Sequence, residues 1–290
     1  MPFYGDPEQF QIAVMSVLNQ SDPNWTLTVL DDCYPDLAPG TWLRGLGDTR
    51  ISYVRNETNL LPSKNYNKAL EMASGEFMML MGCDDVLLPD FVARSSELIQ
   101  LADPTIGLIQ PGVRVIDEEG NPKKSLADKV KIRIGPWPKS GIHVISGENA
   151  HRSLLRGNWT YFPSILWRRS AIDEQRFRTD LNIVQDLSMI LDLIENGFGI
   201  LIDSEVTFLY RRHRASLSGA TGSDGSKFAQ ERVLFAEAAA RAQQRGWNDS
   251  YRAATNRLLS RLNSAVEIPS AVLRRDSSAI KALVRHSFGS

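Results

Sequence analysis

Asp84 and Asp85 are two adjacent carboxylates at a place in the chain where such groups could do chemistry. They close a segment that begins with a short apolar run, residues 77–81, which has the length of one buried strand. In an open α/β sheet, ligands bind outside the carboxyl ends of the strands. Because neighbouring carboxylates repel each other, the pair predicts a nearby cation, and oxygen ligands suit Mg²⁺ or Mn²⁺ held jointly with phosphates. The alternative is that the pair caps the helix that follows.

Three other polar groups stand at predicted strand or helix ends. Asp31 and Asp32 form a second acidic pair after a β-rich run. Asp186 precedes the apolar stripe of a predicted helix, in the first turn, where the helix dipole stabilises a carboxylate. The run from Tyr210 to His213 (YRRH) ends a later predicted strand.

Together these groups suit the transfer of a chemical group from a diphosphate donor. A metal ion at Asp85 would neutralise the departing diphosphate. Asp186 would accept the proton of an attacking hydroxyl. Arg211 and His213 would hold phosphate, and His213 could also be a further metal ligand.

The elements that must position these residues alternate between strand and helix in the first part of the chain. This alternation predicts an α/β fold with a mostly parallel sheet flanked by helices. Residues 1–6 are predicted to form a loop. The helices are predicted over residues 8–20, 64–73 and 90–100, and the strands over residues 26–30, 50–55 and 76–81.

The pattern is weaker beyond residue 100. Residues 127–140 are charged and contain prolines, so a mobile loop is predicted there, and residues 157–164 form an aromatic loop. Strands are predicted over 106–110, 113–116, 165–167, 200–202 and 206–210, and helices over 146–156, 184–195, 227–245 and 250–266. A Gly/Ser-rich segment, residues 218–226, separates the last two helices from the rest.

Composition places limits on the class of protein. The chain has 290 residues, of which 42% are hydrophobic and 23% charged, as in an ordinary globular protein. A formal net charge of −1 gives no overall field that would attract nucleic acid, so no nucleic-acid partner is expected. The two cysteines, Cys33 and Cys83, show no disulfide framework, which favours a reducing, cytoplasmic compartment.

The last fifty residues are basic, with nine Lys or Arg residues against three acids. The favoured interpretation is a solvated helical face. The alternative is peripheral contact with the anionic inner face of a membrane.

Five short motifs now stand in a definite order. They are AVMSVLNQSDPNWTLTVLDD (13–32), SKNYNKAL followed by ASGE (63–70 and 73–76), GCDD (82–85), QD (185–186) and YRRH (210–213). In this order and spacing they resemble the family 2 glycosyltransferases with the GT-A fold, whose pattern includes a DXD-type metal motif and an ED base motif. The resemblance covers residues 1–218.

The resemblance implies a domain plan as well as an activity. Residues 1–218 would be the GT-A domain, with a nucleotide-sugar half over about 1–110 and an acceptor half over about 111–218. Residues 219–226 would be a flexible linker and residues 227–290 a helical C-terminal extension. The implied activity is an inverting transfer of a sugar from a nucleotide-diphosphate sugar to a hydroxyl of a glycan or lipid-linked glycan, in polysaccharide or cell-wall biosynthesis.

The resemblance also implies roles for individual residues. The general base would be Asp186, and Asp85 and His213 would hold Mg²⁺ or Mn²⁺. The implied acceptor contacts are Asn158, Trp159 and Tyr161, although the two aromatic residues could equally be core residues. The implied nucleotide-sugar contacts are Pro2, Tyr4, Asp31, Asp32, Lys64, Asp84 and Arg211.

Three departures from the family pattern support a different reading. Gly82 stands where many members have another Asp, Gln185 replaces the usual Glu beside the base, and the first strand ahead of Pro2 is missing. The missing strand leads us to expect that Met1 is not the natural start or that the chain is a fragment. The alternative function is a catalytically inactive GT-A-like protein that binds a nucleotide sugar or a glycan. Retention of Asp85 together with Asp186 argues against that alternative.

Overall fold

The computed structural model describes residues 1–123, 125–212 and 225–289. Its first sheet has three parallel strands, β1 (Pro2–Phe3), β2 (Leu27–Asp31) and β3 (Ile51–Arg55). The expectation of a loop over residues 1–6 with no first strand is wrong for the two residues of β1. Their backbone pairs with β2, since Leu30 N–H donates to Met1 C=O and Asp32 N–H donates to Phe3 C=O, both at 2.9 Å.

The second sheet has six strands and mixed directions. The strands are β4 (Phe77–Met79), β5 (Val86–Leu87), β6 (Ile106–Ile116), β7 (Ile142–Ile145), β8 (Leu166–Arg168) and β9 (Gly199–Arg211). Their order is β4-β8-β6-β9-β5, and β7 also pairs with β9. The long pair β6–β9 is parallel and the other pairs are antiparallel. The predicted α/β fold class is confirmed, with its parallel strands in the first sheet and in β6–β9.

Strands β6 and β9 each join two segments that were predicted as separate strands. The register between them shifts around Gly112, in the middle of β6. A Cβ at Gly112 would lie 2.4 Å from the Glu205 carbonyl oxygen, so only glycine allows this close backbone approach. The bulge re-aims both strands without ending them, and β9 therefore carries Arg211 to the edge where Asp85 lies.

The helices surround the two sheets. In the first half they are α1 (Pro7–Leu18), α2 (Ala38–Gly45), α3 (Pro62–Met72) and α4 (Phe91–Leu101). They continue with α5 (Leu126–Ile134), α6 (Gly147–Arg156), α7 (Arg169–Ile172) and α8 (Gln185–Glu195). The last four are α9 (Ser226–Gln244), α10 (Asn248–Asn256), α11 (Leu258–Leu273) and α12 (Ser277–Phe288).

Most of the helices begin and end within a few residues of their prediction, but three parts of the prediction are wrong. The predicted loop over 127–140 contains most of α5, which begins after Ser125, whose hydroxyl accepts from Asp128 N–H at 3.1 Å. Ser226, placed in the predicted linker, is the first residue of α9. The second predicted C-terminal helix, over residues 250–266, is instead divided between α10 and α11.

The core consists of two large clusters of buried side chains. One contains Trp159, Trp167 and Phe177 with the apolar side of α8, and the other contains Phe3, Phe10 and Phe208. Leu234 and Phe235 of α9 belong to the first of these, so this helix shares the main core. By contrast, α11 and α12 contribute to a small separate cluster of Phe228, Ala271, Ala279 and Leu283. Among the described residues, no helix combines the length and apolar character needed to cross a membrane.

Candidate functional site

Asp85 is a buried carboxylate in the turn between β4 and β5, and its side chain is only half satisfied. Asp85 Oδ1 accepts from the backbone N–H of Arg211 at 2.8 Å. Asp85 Oδ2 is also buried and has no hydrogen-bond partner among the described residues. Burial, followed by the charge of Asp84, raises the pKa of Asp85 well above its ordinary value. A cation at Oδ2 would relieve both effects.

Gly82 is explained by this turn. A Cβ on Gly82 would lie 2.4 Å from Asp85 Oδ2 and 2.9 Å from Asp84 Oδ1. Any larger residue would push the two carboxylates away from their present positions. The glycine is therefore the residue that this arrangement of Asp84 and Asp85 requires.

Arg211 holds this turn from the other side. Its guanidinium is buried and donates to three backbone carbonyls, those of Asp84 (2.7 Å), Asp117 (3.0 Å) and Glu118 (2.8 Å). The prediction that Arg211 contacts the nucleotide-sugar phosphates is therefore corrected. Arg211 positions the Asp84–Asp85 turn, because it is buried and its Nε and Nη1 donate to the protein's own backbone.

The other acidic pair divides into two different roles. Asp31 is fully buried, with Oδ1 accepting from Tyr34 N–H at 2.7 Å and Oδ2 accepting from the Tyr53 hydroxyl and from Arg55 at 2.8 Å. The prediction that Asp31 contacts the nucleotide is corrected, since both of its oxygens are used inside the fold. Asp32 follows at the end of β2, where carboxylates of a parallel sheet face a ligand.

A polar network fixes Asp32 and includes residues that the sequence analysis missed. Asp32 Oδ1 accepts from Asn56 Nδ2 and from Leu60 N–H, both at 2.8 Å. Lys68 Nζ donates to Asn56 Oδ1 at 2.6 Å. The predicted Lys64 is exposed in the first turn of α3, one turn before Lys68. The only sequence signal for Asn56 was its place after a strand, which is too common to identify a site.

Tyr4 and Pro2 lie at the same edge. Pro2 is part of β1, and Tyr4 follows the strand with 53% of its surface exposed. The Tyr4 ring meets Tyr34 edge-on, with the ring centroids 5.7 Å apart. An exposed aromatic ring beside Asp32 can stack on a planar base.

Asp186 lies in the first turn of α8 and is half-buried. Burial raises its pKa, and the N–H of Leu187, the charge of Lys131 and a hydrogen bond from Asn158 act in the opposite direction. Asn158 Nδ2 donates to Asp186 Oδ2 at 3.2 Å, and Asn158 Oδ1 accepts from the Thr160 hydroxyl at 2.6 Å. Asn158, predicted to contact the acceptor, thus orients the predicted base.

Two tyrosines show that the separate acidic groups face one site. Burial is the main cause that raises the pKa of Tyr66 and of Tyr210. The charges of Asp84 and Asp186 add to it at both tyrosines. Because these carboxylates act on the same two hydroxyls, the β4–β5 turn and the start of α8 are brought to a common edge.

Trp159 and Tyr161 are core residues, so the prediction that they contact the acceptor is corrected. Trp159 is fully buried, its Nε1 donates to Ser153 Oγ at 3.0 Å, and its ring packs edge-on against Trp137 at 5.5 Å. Tyr161 is 4% exposed. Neither ring has a face available to a sugar.

Lys131 of α5 is a further residue at this edge that the sequence analysis missed, since α5 was predicted as a loop. Its Nζ donates to the Thr160 carbonyl at 2.7 Å and lies 4.5 Å from the Tyr161 ring centroid. Burial, with the charge of Arg212 second, lowers the pKa of Lys131 to about 8, while the charge of Asp186 opposes this. Lys131 is therefore a cation near Asp186.

The acidic residues fit a divalent cation that shares its coordination with a ligand. The described residues contain no group of three or more His, Cys, Asp or Glu side chains that could enclose a metal ion by themselves. Buried Asp85 Oδ2, next to Asp84, is the kind of incomplete oxygen site that Mg²⁺ or Mn²⁺ occupies together with phosphates. His213, the predicted second metal ligand, lies outside the described residues.

Comparisons with known proteins agree on one family. The sequence profile described as Glycosyl transferase family 2 matches residues 1–166. The succinoglycan biosynthesis protein ExoO of Rhizobium meliloti is 22% identical over 218 residues, covering 74% of this chain and 60% of ExoO. The Escherichia coli enzyme WfgD, named UDP-Glc:alpha-D-GlcNAc-diphosphoundecaprenol beta-1,3-glucosyltransferase, is 34% identical over 88 residues, covering 30% of this chain and 34% of WfgD.

A solved structure matches nearly the whole chain. S. aureus TarS 1–349 in complex with UDP-GlcNAc has a TM-score of 0.71 at 15% identity, covering 99% of this chain and 80% of the TarS chain. At that identity the likeness shows the fold alone. The chain spans from 24% to 69% of the length of the curated relatives that it matches.

Proposed function

The chain belongs to glycosyl transferase family 2, and from this premise we propose that it transfers a sugar, with inversion, from a nucleotide-diphosphate sugar to an acceptor hydroxyl. The observation that carries the proposal is the pairing of two unlike carboxylates at one edge. Asp85 is buried with one oxygen unsatisfied among the described residues, and Asp186 is half-buried and oriented by Asn158. The first suits a cation and the second suits a proton.

Asp85, with Asp84 beside it and His213 as the predicted further ligand, would hold Mg²⁺ or Mn²⁺. When bound, such an ion would neutralise charge on the departing diphosphate. Arg211 contributes by holding the turn, since its backbone N–H and its guanidinium bind both aspartates of the pair. This preorganisation places the acidic oxygens before any ligand arrives.

Asp186 would remove the proton of the attacking hydroxyl. Its raised pKa makes it a stronger base than an exposed carboxylate, closer to the pH at which it must work. Asn158 holds the carboxylate in one orientation, and the cationic Lys131 keeps it ionised. Because the neighbouring residue is Gln185, Asp186 is the one proton acceptor of this motif.

The nucleotide would lie along the carboxyl ends of β1 and β2. We assign its contacts to the exposed ring of Tyr4, to Asp32 held by Asn56, and to Lys64, with Pro2 and Asp84 beside them. Asp31 and Arg211 support this surface from within.

The acceptor class is proposed as a glycan or a lipid-linked glycan of polysaccharide biosynthesis. Two relatives support this, since ExoO is named for succinoglycan biosynthesis and WfgD for transfer to a diphosphoundecaprenol-linked sugar. The sugar and the nucleotide base are left to experiment.

A second candidate function is a catalytically inactive protein that binds a nucleotide sugar. Gln185 favours it, because this residue stands where the family pattern has a Glu beside the base. The other two observations offered for an inactive protein, Gly82 and the missing first strand, are weaker. Gly82 leaves room for the present positions of the Asp84 and Asp85 carboxylates, and β1 supplies a first strand.

Binding of UDP, GDP and dTDP, measured by calorimetry with and without Mn²⁺, tests the proposal. We expect one nucleotide to bind in a manganese-dependent manner, and we expect Asp85→Asn to abolish the dependence. The exposed Asp90, which directly precedes α4, provides a control as Asp90→Asn. Binding without transfer to any acceptor of a glycan panel would favour the inactive binding protein, and no binding to the wild type would reject both.

A further inference from the structure

Helix α11 presents large apolar side chains to solvent along one side. Leu258, Leu262, Val266 and Leu273 are 67%, 52%, 75% and 85% exposed. Their spacing of four, four and seven residues places them on one face, which we call the α11 stripe. At a rise of about 1.5 Å per residue, the stripe is roughly 22 Å long.

The opposite side of the same helix is small and polar, and it is the side that is buried. Ser260, Ser264 and Ala271 are between 0% and 9% exposed. Ser264 Oγ donates to the Leu283 carbonyl at 3.0 Å, and Ser260 Oγ lies 2.7 Å from His286 Nε2. The helix therefore buries its face of small and polar residues and exposes its face of large aliphatic residues. An ordinary surface helix does the reverse.

The neighbouring helix α12 extends the exposed apolar surface. Phe288 is 74% exposed. The next residue, Gly289, accepts a hydrogen bond from Arg261 at 2.5 Å, which places Phe288 beside the first turn of α11. An exposed aromatic side chain therefore lies near that end of the stripe.

Basic residues stand at both ends of the stripe. Arg257 and Arg261 flank its beginning, and Arg274 and Arg275 follow its end. Over residues 241–290, nine Lys or Arg residues face three acids. A second copy of the chain is a poor occupant, because pairing two such surfaces would bring like charges together. An anionic surface with an apolar layer beneath it matches both the charge and the stripe.

We propose that the α11 stripe docks on the surface of a membrane that contains anionic phospholipid. The helix lies in the plane of the interface, with Leu262 and Val266 among the acyl chains and the flanking arginines at the head groups.

The position of α11 connects this surface to the acceptor side of the site. A Cβ on Gly157 would lie 3.1 Å from Leu259 Cδ1 of α11 and 2.4 Å from Ile134 Cδ1 of α5. Gly157 immediately precedes Asn158, which binds Asp186. The stripe therefore begins next to the acceptor side of the site, and this part of the inference, an acceptor presented by a membrane, rests on the proposed function.

Co-sedimentation of the full chain with vesicles tests the proposal. We expect binding to vesicles of phosphatidylcholine mixed with phosphatidylglycerol and little binding to phosphatidylcholine alone. Leu262→Glu and Val266→Glu should each weaken binding roughly tenfold or more, since each removes an aliphatic contact with the acyl chains. Arg274→Gln should weaken it about fivefold and only for the anionic vesicles. The matched control is Leu101→Glu, at an exposed leucine of α4 (60% exposed).

The outcomes separate this inference from the proposed function. Unchanged vesicle binding in Leu262→Glu, or no binding by the wild type, would overturn the membrane surface. Concentration-dependent dimers that Leu262→Glu dissolves would identify a second copy as the occupant and would also overturn it. Nucleotide binding should be unaltered in these variants, because the stripe is outside the donor site. A wild type that binds vesicles but no nucleotide would contradict the proposed function and leave the membrane proposal intact.

Discussion

The acidic edge around Asp85 and the α11 stripe violate the ordinary rules of burial in opposite senses. At the acidic edge, a carboxylate is buried with one oxygen unsatisfied among the described residues. On the stripe, leucine and valine side chains stand in water. We propose a complementary partner for each arrangement, a cation in the first case and an apolar layer in the second.

The two regions differ in how they affect the stability of the folded state. A buried unpaired charge destabilises the fold directly, because the unfolded chain would hydrate it. An exposed leucine is hydrated in both the folded and the unfolded state, so it neither stabilises nor destabilises the fold. Substitutions at the acidic edge should therefore remove function and raise stability, whereas substitutions on the stripe should remove binding and leave stability unchanged.

The largest effect is expected at the base. Asp186→Asn should lower the transfer rate by about 10²–10⁴-fold, because the amide cannot accept the proton. Its thermal stability should be equal to or above that of the wild type. The raised pKa means that the folded protein favours the protonated carboxyl, so stability is present below the unfolded pKa and is lost as pH rises through the folded pKa. A transfer assay beside scanning calorimetry checks both, and a variant with the wild-type rate would exclude Asp186 as the base.

Glu195 is the contrasting case, a buried carboxylate whose two oxygens both have hydrogen-bond partners. Glu195 accepts from Arg241 at 2.8 and 2.9 Å and lies 3.1 Å from His151 Nε2. Burial acts to raise the pKa of Glu195, but the hydrogen bonds from His151 and Arg241 outweigh this effect, and the pKa is lowered.

Arg241→Met should therefore destabilise the protein by about 2–3 kcal/mol, the opposite sign to the acidic edge. Urea unfolding measures the change. The exposed Arg252→Met, with a side chain 74% accessible, is the matched control and should change little. If Arg241→Met left the stability unchanged, the distinction between satisfied and unsatisfied buried charges would be lost.

Asp85→Asn should stabilise the metal-free protein by about 1 kcal/mol or more at neutral pH, since it removes a buried charge whose pKa is raised. The wild-type stability is again lost as pH rises through the folded pKa of Asp85, so the difference between variant and wild type should vanish at acid pH. Thermal melts across pH measure this. With Mn²⁺ and nucleotide added, only the wild type should gain stability, and a gain in Asp85→Asn would place the cation elsewhere.

The smallest expected effect concerns Lys131. Its charge lowers the pKa of Asp186, so Lys131→Met should move the acidic limb of the rate–pH profile upward by about one unit or less. Because the pKa of Lys131 is about 8, the two profiles should converge at higher pH, where the wild-type lysine is neutral. Lys131→Arg should keep the wild-type profile, and Lys129→Met, at an exposed position of the same helix, is the control. An unshifted profile would restrict Lys131 to packing.

The prediction of the fold was most accurate where the signal was local. Helices such as α1 and α8 are defined by apolar residues at helical spacing. The structure adds the cap of α1, where Asp6 Oδ1 accepts from two backbone N–H groups. The prediction was wrong for α5, where charged residues suggested a loop, and for β1, where two residues are too few for a pattern.

By itself, the sequence determined the family, the strand–helix alternation between α1 and α4, and the positions of Asp84, Asp85 and Asp186 next to predicted element ends. These depend on neighbours in the chain, which a motif contains. Only the tertiary structure decided that Asp31 and Arg211 are internal supports, that Trp159 and Tyr161 are core residues, and that the apolar side of α11 faces outward. Those outcomes depend on partners distant in sequence, such as Arg55 for Asp31 and the turn after β6 for Arg211. The role of a polar side chain depends on which of its atoms lack hydrogen-bond partners after packing. The local spacing of residues does not predict those long-range contacts.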